Sequence, residues 1–157
     1  MRRVLACSLF LGLAGLLLGA DDPFVGTWKL NLDKSKFAPS QPGRGVKEET
    51  LTIEMTNDDG TVTMRGTRED GSAILVKYST PITGGPVKYD SPLPAGLIVT
   101  SKRLDQRTVE MVTMRDGKEV STQRNTVSAD GKTLRAASKG LNAQGQTVES
   151  VAVWEKP

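Results

Sequence analysis

The chain has 157 residues, with 21 Lys and Arg against 18 Asp and Glu, and it contains no histidine. Its one cysteine, Cys7, lies in an apolar N-terminal stretch. Without histidine the familiar Ser-His-Asp and Cys-His catalytic arrangements are excluded, and haem ligation or a transition-metal site is disfavoured. We therefore expect a protein that is not an enzyme and has no metal site and no cofactor.

The first twenty residues, MRRVLACSLFLGLAGLLLGA, have the pattern of a signal peptide. Arg2 and Arg3 precede an apolar run that ends in small residues, as export and cleavage require. The alternative is a retained membrane anchor, but the run from Val4 to Leu18 is shorter than the roughly 20 residues of a membrane-spanning helix. We predict a signal-peptide helix over 1–20, cleavage near Ala20, no stable membrane span after cleavage, and a periplasmic or extracellular location.

Cleavage would change the charge of the chain. Two of the 21 basic residues are Arg2 and Arg3 and all 18 acidic residues lie beyond position 20, so 19 basic residues would face 18 acidic ones. A balanced domain lacks the positive field that nucleic-acid binding needs. The mature chain would also have no disulfide, so packing must stabilise the single domain expected over 21–157.

Beyond Val46 the chain repeats short runs rich in Thr, Val and Ile, separated by turns that contain glycine. Four of these turns carry Asp-Gly, a strong hairpin signal, at 59–60, 70–71, 116–117 and 130–131. Hairpins this close together leave no room for crossover helices, so we predict one antiparallel sheet. The predicted strands are 24–31, 46–56, 61–69, 72–80, 96–105, 107–115, 118–128, 132–139 and 147–155, with a possible short one at 86–89.

Alternation along these strands predicts one apolar and one polar face. A sheet of about 8–10 strands with one dry face must close into a barrel or stack on a second sheet, and closure also removes its edges. On the late strands, alternation suggests that Thr122, Arg124, Ala136 and Ser138 share the inner side. A register error of one residue would exchange the two faces.

Two segments interrupt the strand pattern. Residues 33–45 are rich in Pro and Gly and are interpreted as a short turn or helix followed by a loop, with Phe37 folding back over one end of the barrel. Residues 81–96 hold four of the eight prolines. A loop of this length is interpreted equally well as a mobile lid or as a spacer.

The stretch FVGTWKL, residues 24–30, resembles the opening strand of the calycin barrels, which include lipocalins and intracellular fatty-acid-binding proteins. The final VWEK, residues 153–156, resembles the last strand of the fatty-acid-binding branch. The mature chain as a whole is similar to small exported bacterial proteins described as lipocalin-like. The resemblance implies a single up-and-down antiparallel β-barrel over nearly all of residues 22–156.

The resemblance also implies roles for particular residues. Trp28 falls where calycins place a tryptophan on the barrel floor, often beneath a basic side chain, for which Arg124 and Arg135 are the candidates. Plain core packing is an equally good interpretation of Trp28. Fatty-acid binders hold the ligand carboxylate with an Arg-x-Tyr pair on the last strand, but here those positions are Ala152 and Trp154. This departure argues against a conventional fatty-acid carrier.

These observations favour an exported binding protein for a small apolar or amphipathic molecule. Methionines on the inner face suit such a ligand because they are flexible and polarisable, although they are more often core filler. The alternative is an envelope or extracellular interaction module with a filled barrel core, whose protein partner the sequence does not identify. The residues expected to line the barrel interior are Trp28, Met55, Met64, Val76, Tyr78, Val99, Met111, Arg124 and Trp154.

Overall fold

The computed structural model describes residues 22–39, 45–56 and 59–157, so the predicted signal peptide lies outside the described residues. Within this part of the chain no helix is long and apolar enough to cross a membrane. One turn of 3₁₀ helix spans Leu32–Lys34, inside the segment for which a short turn or helix is predicted. The strands are β1 (Gly26–Leu30), β2 (Val46–Thr56), β3 (Asp59–Arg68), β4 (Ala73–Pro81), β5 (Gly84–Pro86), β6 (Lys88–Tyr89), β7 (Leu97–Asp105), β8 (Thr108–Arg115), β9 (Lys118–Val127), β10 (Thr133–Leu141) and β11 (Thr147–Glu155).

Tight turns that contain glycine join several of these strands. Asp116 and Gly117 both have positive φ, at 49° and 79°, as a two-residue hairpin between twisted strands requires. Gly71 and Gly131 also have positive φ in the two other predicted Asp-Gly turns that the structure describes. Asp59 and Gly60 differ from the prediction, because they already belong to β3 and pair with Thr56 and Met55.

All eleven strands form one antiparallel sheet, ordered β5-β7-β8-β9-β10-β11-β1-β2-β3-β4-β6. The first and last strands of the described chain are neighbours in the middle of the sheet, where β1 lies between β2 and β11. Lys29 pairs with Glu155 and Leu30 with Trp154. The first strand is therefore completed by the last one.

The two edges of the sheet, β5 and β6, are separated in sequence only by Val87. Strand β5 pairs with β7 and β6 pairs with β4, so one short segment runs from one edge to the other. A hydrogen bond between the hydroxyl groups of Thr80 on β4 and Ser101 on β7 also links the two edges of the sheet. The sheet is thus wound into a nearly closed barrel.

The predicted all-β, up-and-down barrel is confirmed, and with it the architecture implied by the resemblance to calycins. The interpretation of residues 81–96 as a lid or a spacer needs correction, because much of this segment is barrel wall. The sequence suggests a loop there because Gly84, Gly85 and Pro86 are poor strand formers in isolation. Both glycines have positive φ, and a Cβ on Gly84 would approach the Ser101 carbonyl oxygen to 2.8 Å.

A compact core closes the end of the barrel where β1 begins. Trp28 is fully buried, and its Nε1 donates a hydrogen bond of 2.9 Å to the carbonyl oxygen of Phe24. Val127 is also almost fully buried and belongs to the same cluster of apolar side chains. Phe37 packs against this cluster, in keeping with the inward fold predicted for it.

A β-bulge near the start of β2 changes which residues face inward. The register of β2 on β3 shifts between Val46 and Glu48, which leaves Lys47 as an extra residue. Because a bulge reverses the alternation, Val46 before it and Glu49 after it both line the interior. Gly66 pairs with Glu49, and a Cβ on Gly66 would lie 2.2 Å from the carbonyl oxygen of Glu48. The bulge therefore fits only against a residue without a side chain.

Candidate functional site

The barrel encloses a cavity of about 520 Å³. Its walls are formed by inward-facing side chains from most strands and by Phe24 and Phe37. The volume lies within the range of about 300–1,000 Å³ that is typical of small-molecule sites. Most of the wall is apolar, with Ile53, Val62 and Met64 as representative side chains.

Seven of the nine residues expected in the interior line this cavity. They come from six different strands, because alternation places every second residue on the same side of the sheet. These residues are Met55, Met64, Val76, Tyr78, Val99, Met111 and Trp154.

Trp28 faces inward but lies beneath the cavity rather than in its lining. Its ring is covered by Lys156, whose Nζ is 4.6 Å from the ring centroid. The basic residue over the tryptophan is thus a C-terminal lysine, and the expectation of Arg124 or Arg135 needs correction. Trp28 contributes to a packed floor that supports the cavity.

We expect Lys156→Ala to lower the free energy of unfolding by about 0.5–1 kcal/mol, because it removes the cation–π contact of a solvent-exposed lysine with the Trp28 ring. Lys29→Ala is the matched control, since Lys29 is exposed on the same first strand and belongs to no such contact among the described residues. Urea unfolding of the two variants measures the difference. Equal losses would show that the Lys156 contact does not stabilise the floor.

Arg124 lies on the outer face of the barrel, and its predicted interior position needs correction. Its Nη2 donates a hydrogen bond of 2.8 Å to Oε2 of Glu110 on the neighbouring strand, and 58% of its side chain is exposed. Thr122 shares that outer face, whereas Ala136 and Ser138 line the cavity as expected. The pairing of β9 with β8 is regular at Arg124, so the wrong assignment follows from the polar residues on both faces of β9.

The most unusual polar group in the cavity wall is the carboxyl group of Glu49. The residue is only 9% exposed, and its Oε1 accepts a hydrogen bond of 3.3 Å from Trp154 Nε1. A carboxylate can accept about four hydrogen bonds, so this one leaves most of its capacity unused by the described residues. Arg68, which also lines the cavity, is close enough to act on Glu49 electrostatically.

Burial raises the pKa of Glu49, and the Trp154 hydrogen bond and the Arg68 charge only partly oppose this effect. Two tyrosines line the cavity on the adjoining wall, Tyr78 on β4 and Tyr89 on β6, with ring centroids 5.1 Å apart. Burial raises the pKa of both hydroxyl groups. Both tyrosines therefore stay neutral at physiological pH and can donate hydrogen bonds into the cavity.

The raised pKa of Glu49 predicts a specific pH dependence of stability. Between the ordinary pKa of glutamate and the raised value, the folded protein holds a proton that the unfolded chain releases, so the free energy of unfolding falls as pH rises through this window. Glu49→Gln removes this contribution, so the stability of wild type minus that of the variant should decrease with rising pH and then level off. Urea unfolding over this pH range measures it, and a difference that rises with pH would contradict the burial of Glu49.

Three polar residues that line the cavity are not among those expected there from the sequence, namely Glu49, Gln123 and Asn125. The sequence does indicate an inward position for Glu49, because this residue precedes the apolar Leu51 and Ile53 by two and four positions on the same strand. On β9 both faces carry polar residues, so alternation alone does not separate them. The buried Val127 at the end of β9 identifies the inner face, since Asn125 and Gln123 precede it by two and four positions.

Two further features are absent among the described residues: clusters of metal ligands and buried side-chain polar atoms without a partner. Within the described ranges, no group of three or more Asp, Glu, His or Cys side chains is arranged to hold a metal ion. Likewise, every buried side-chain nitrogen or oxygen atom of the described residues has a hydrogen-bond partner. The site is therefore an apolar space with a few polar groups at defined places.

No protein-family model matches the chain, and no curated protein is significantly similar to it. Among solved structures, the chain is similar to EF1p2_mFAP2b bound to DFHBI, with a TM-score of 0.44, 8% identity, and coverage of 86% of this chain and 94% of the other. It is also similar to zebrafish ileal bile acid-binding protein complexed with cholic acid, with a TM-score of 0.40 and 13% identity. That match covers 86% of this chain and 99% of the zebrafish protein.

Proposed function

We propose that the chain is an exported, non-catalytic binding protein that holds one small apolar or amphipathic molecule inside its barrel. The observation that carries this proposal is the cavity of about 520 Å³. Small barrels can be packed solid, and an eight-stranded interior holds at most one small ligand. The alternative of an interaction module requires a filled interior, so the cavity speaks against it.

The chemistry of the wall supports the same proposal. Apolar side chains such as Ile53, Val62 and Val99 favour transfer of an apolar ligand out of water, while methionines adapt to its shape. A small number of polar groups among them would fix the orientation of the ligand. Catalysis is not part of the proposal, because a chain without histidine lacks the familiar Ser-His-Asp and Cys-His arrangements.

Export rests on the N-terminal sequence alone, where two arginines precede an apolar run that ends in small residues. Intact-mass measurement of protein recovered from its native cells tests this part separately. A mature chain that begins near Asp21 is expected. A full-length chain would overturn export by cleavage without affecting the proposed binding.

Binding is tested with a neutral, environment-sensitive dye such as Nile red and two phenylalanine variants of adjacent residues on β10. Ala136 is buried and lines the cavity, whereas Ala137 follows it on the opposite face. Because a phenylalanine at 136 occupies ligand space, we expect Ala136→Phe to weaken dye binding by roughly tenfold or more. Ala137→Phe should bind the dye as wild type does.

Circular dichroism and urea unfolding establish that both variants are folded. Equal affinity of the two variants for the dye would place the dye outside the barrel and overturn the proposed site. Native mass spectrometry of protein purified from its source organism then identifies any molecule that co-purifies.

A further inference from the structure

The cavity wall contains the carboxyl group of Glu49. Trp154 on β11 donates its indole N–H to Oε1 of Glu49 on β2, over 3.3 Å, and both residues line the cavity. The indole N–H of Trp154 on the last strand is therefore already bound to a carboxylate of the protein itself.

The second oxygen of this carboxylate is turned to the cavity. Oε2 of Glu49 accepts no hydrogen bond from the described residues, yet no buried side-chain oxygen among them is sealed off without a partner. Oε2 must therefore border accessible space, and the space that Glu49 lines is the cavity. A ligand with an N–H or O–H group would find an acceptor there.

The two arginines of the wall do not form an alternative site for an anion. Arg103 is held by Asp22, with 2.6 Å between Nη1 and Oδ2, and by the carbonyl oxygens of Asp105 and Gln106. Arg68 is exposed, and its field already acts on Glu49. An anionic head group placed beside Arg68 would therefore also meet the Glu49 carboxylate.

We infer that the ligand of this barrel is an amphiphile whose polar end carries a hydrogen-bond donor, such as a hydroxyl, amide or amine, directed at Glu49, and that carboxylate-bearing ligands are rejected. This inference rests on the proposed binding function and specifies its ligand class. The apolar part of the molecule lies along side chains such as Leu51, Ile53 and Met64 of the adjoining wall. Tyr78 and Tyr89 are neutral partners for any further polar group on the ligand.

Three ligands with the same ten-carbon chain and different head groups test the inference: decanol, decylamine and decanoate. Displacement of Nile red is measured at about pH 8, where decanoate is ionised. Since two like charges in a cavity of low dielectric repel each other strongly, decanoate should bind at least roughly tenfold more weakly than decanol. Comparison of decanol with decylamine shows whether the donor is neutral or cationic.

The variant Glu49→Gln keeps the size of the side chain and an acceptor for Trp154, but removes the charge. It should reduce the difference between decanol and decanoate, whereas Glu54→Gln, on the outer face of the same strand, should leave the difference unchanged. Tighter binding of decanoate than of decanol to wild type would overturn the inference and leave the binding function intact. Failure of Nile red and all three ligands to bind would overturn both.

Discussion

Replacing Trp28 with alanine is expected to lower the free energy of unfolding by about 3–5 kcal/mol, the usual effect of deleting a buried aromatic side chain. Trp28 is fully buried at the floor of the barrel, where its N–H group donates a hydrogen bond and its ring contacts a lysine. The variant would lose the packing, the hydrogen bond to Phe24 and the contact with Lys156 together. Equilibrium urea unfolding measures the loss.

Two further variants assign the loss to its causes. Trp28→Phe keeps an aromatic ring but lacks the N–H donor, so it should lose markedly less stability than Trp28→Ala. Leu75→Ala removes an apolar side chain that is 63% exposed on the outer face, so it should change stability by less than about 0.5 kcal/mol. A loss below about 1 kcal/mol for Trp28→Ala would mean that the floor is not built on this residue.

The substitution Gly66→Ala should destabilise the barrel by about 1–3 kcal/mol, as overpacking of a tight site does. The added methyl group would lie 2.2 Å from the backbone oxygen of Glu48, and the backbone cannot give way as a flexible side chain can. Relief requires the β2 bulge to move. Because Glu49 follows directly, the variant should also alter the environment of Trp154, which is visible in its fluorescence.

Gly60→Ala is the matched control on the same strand. Its added Cβ would meet the end of the Met55 side chain at 3.1 Å, and a methionine can move aside. We therefore expect Gly60→Ala to cost less than about 1 kcal/mol. Equal losses at the two positions would show that the bulge tolerates a side chain at 66.

Much of the fold could be predicted from the sequence because hairpins leave local signals. Alternation of apolar and polar residues predicted strand bounds within a few residues of those observed, and it assigned Met55, Met64 and Val76 to the inner face. On these strands one face is mostly apolar and the other is mostly polar. On β9 both faces carry polar residues, and there the prediction placed Arg124 on the wrong face.

Other features depend on contacts that sequence patterns do not encode. The bulge that lets Val46 face inward together with Glu49 arises from pairing between β2 and β3, and the segment 84–89 becomes wall only because two distant strands lie beside it. Lys156 reaches Trp28 because the chain ends meet. In each case tertiary pairing decides the outcome over local preference.

The pairing of β1 with β11 sets the order in which this protein can fold. Strand β1 pairs with Glu155 and Trp154 of β11, and the side chains of Asn31 and Lys34 bind the carboxylate of Glu155. Strand β1 is therefore fully paired only when β11 is in place. Such long-range contacts are slow to form because the whole intervening chain must be ordered or looped out. Until β11 pairs with β1, the barrel therefore stays open between β10 and β1, and its apolar interior remains unsealed along that gap.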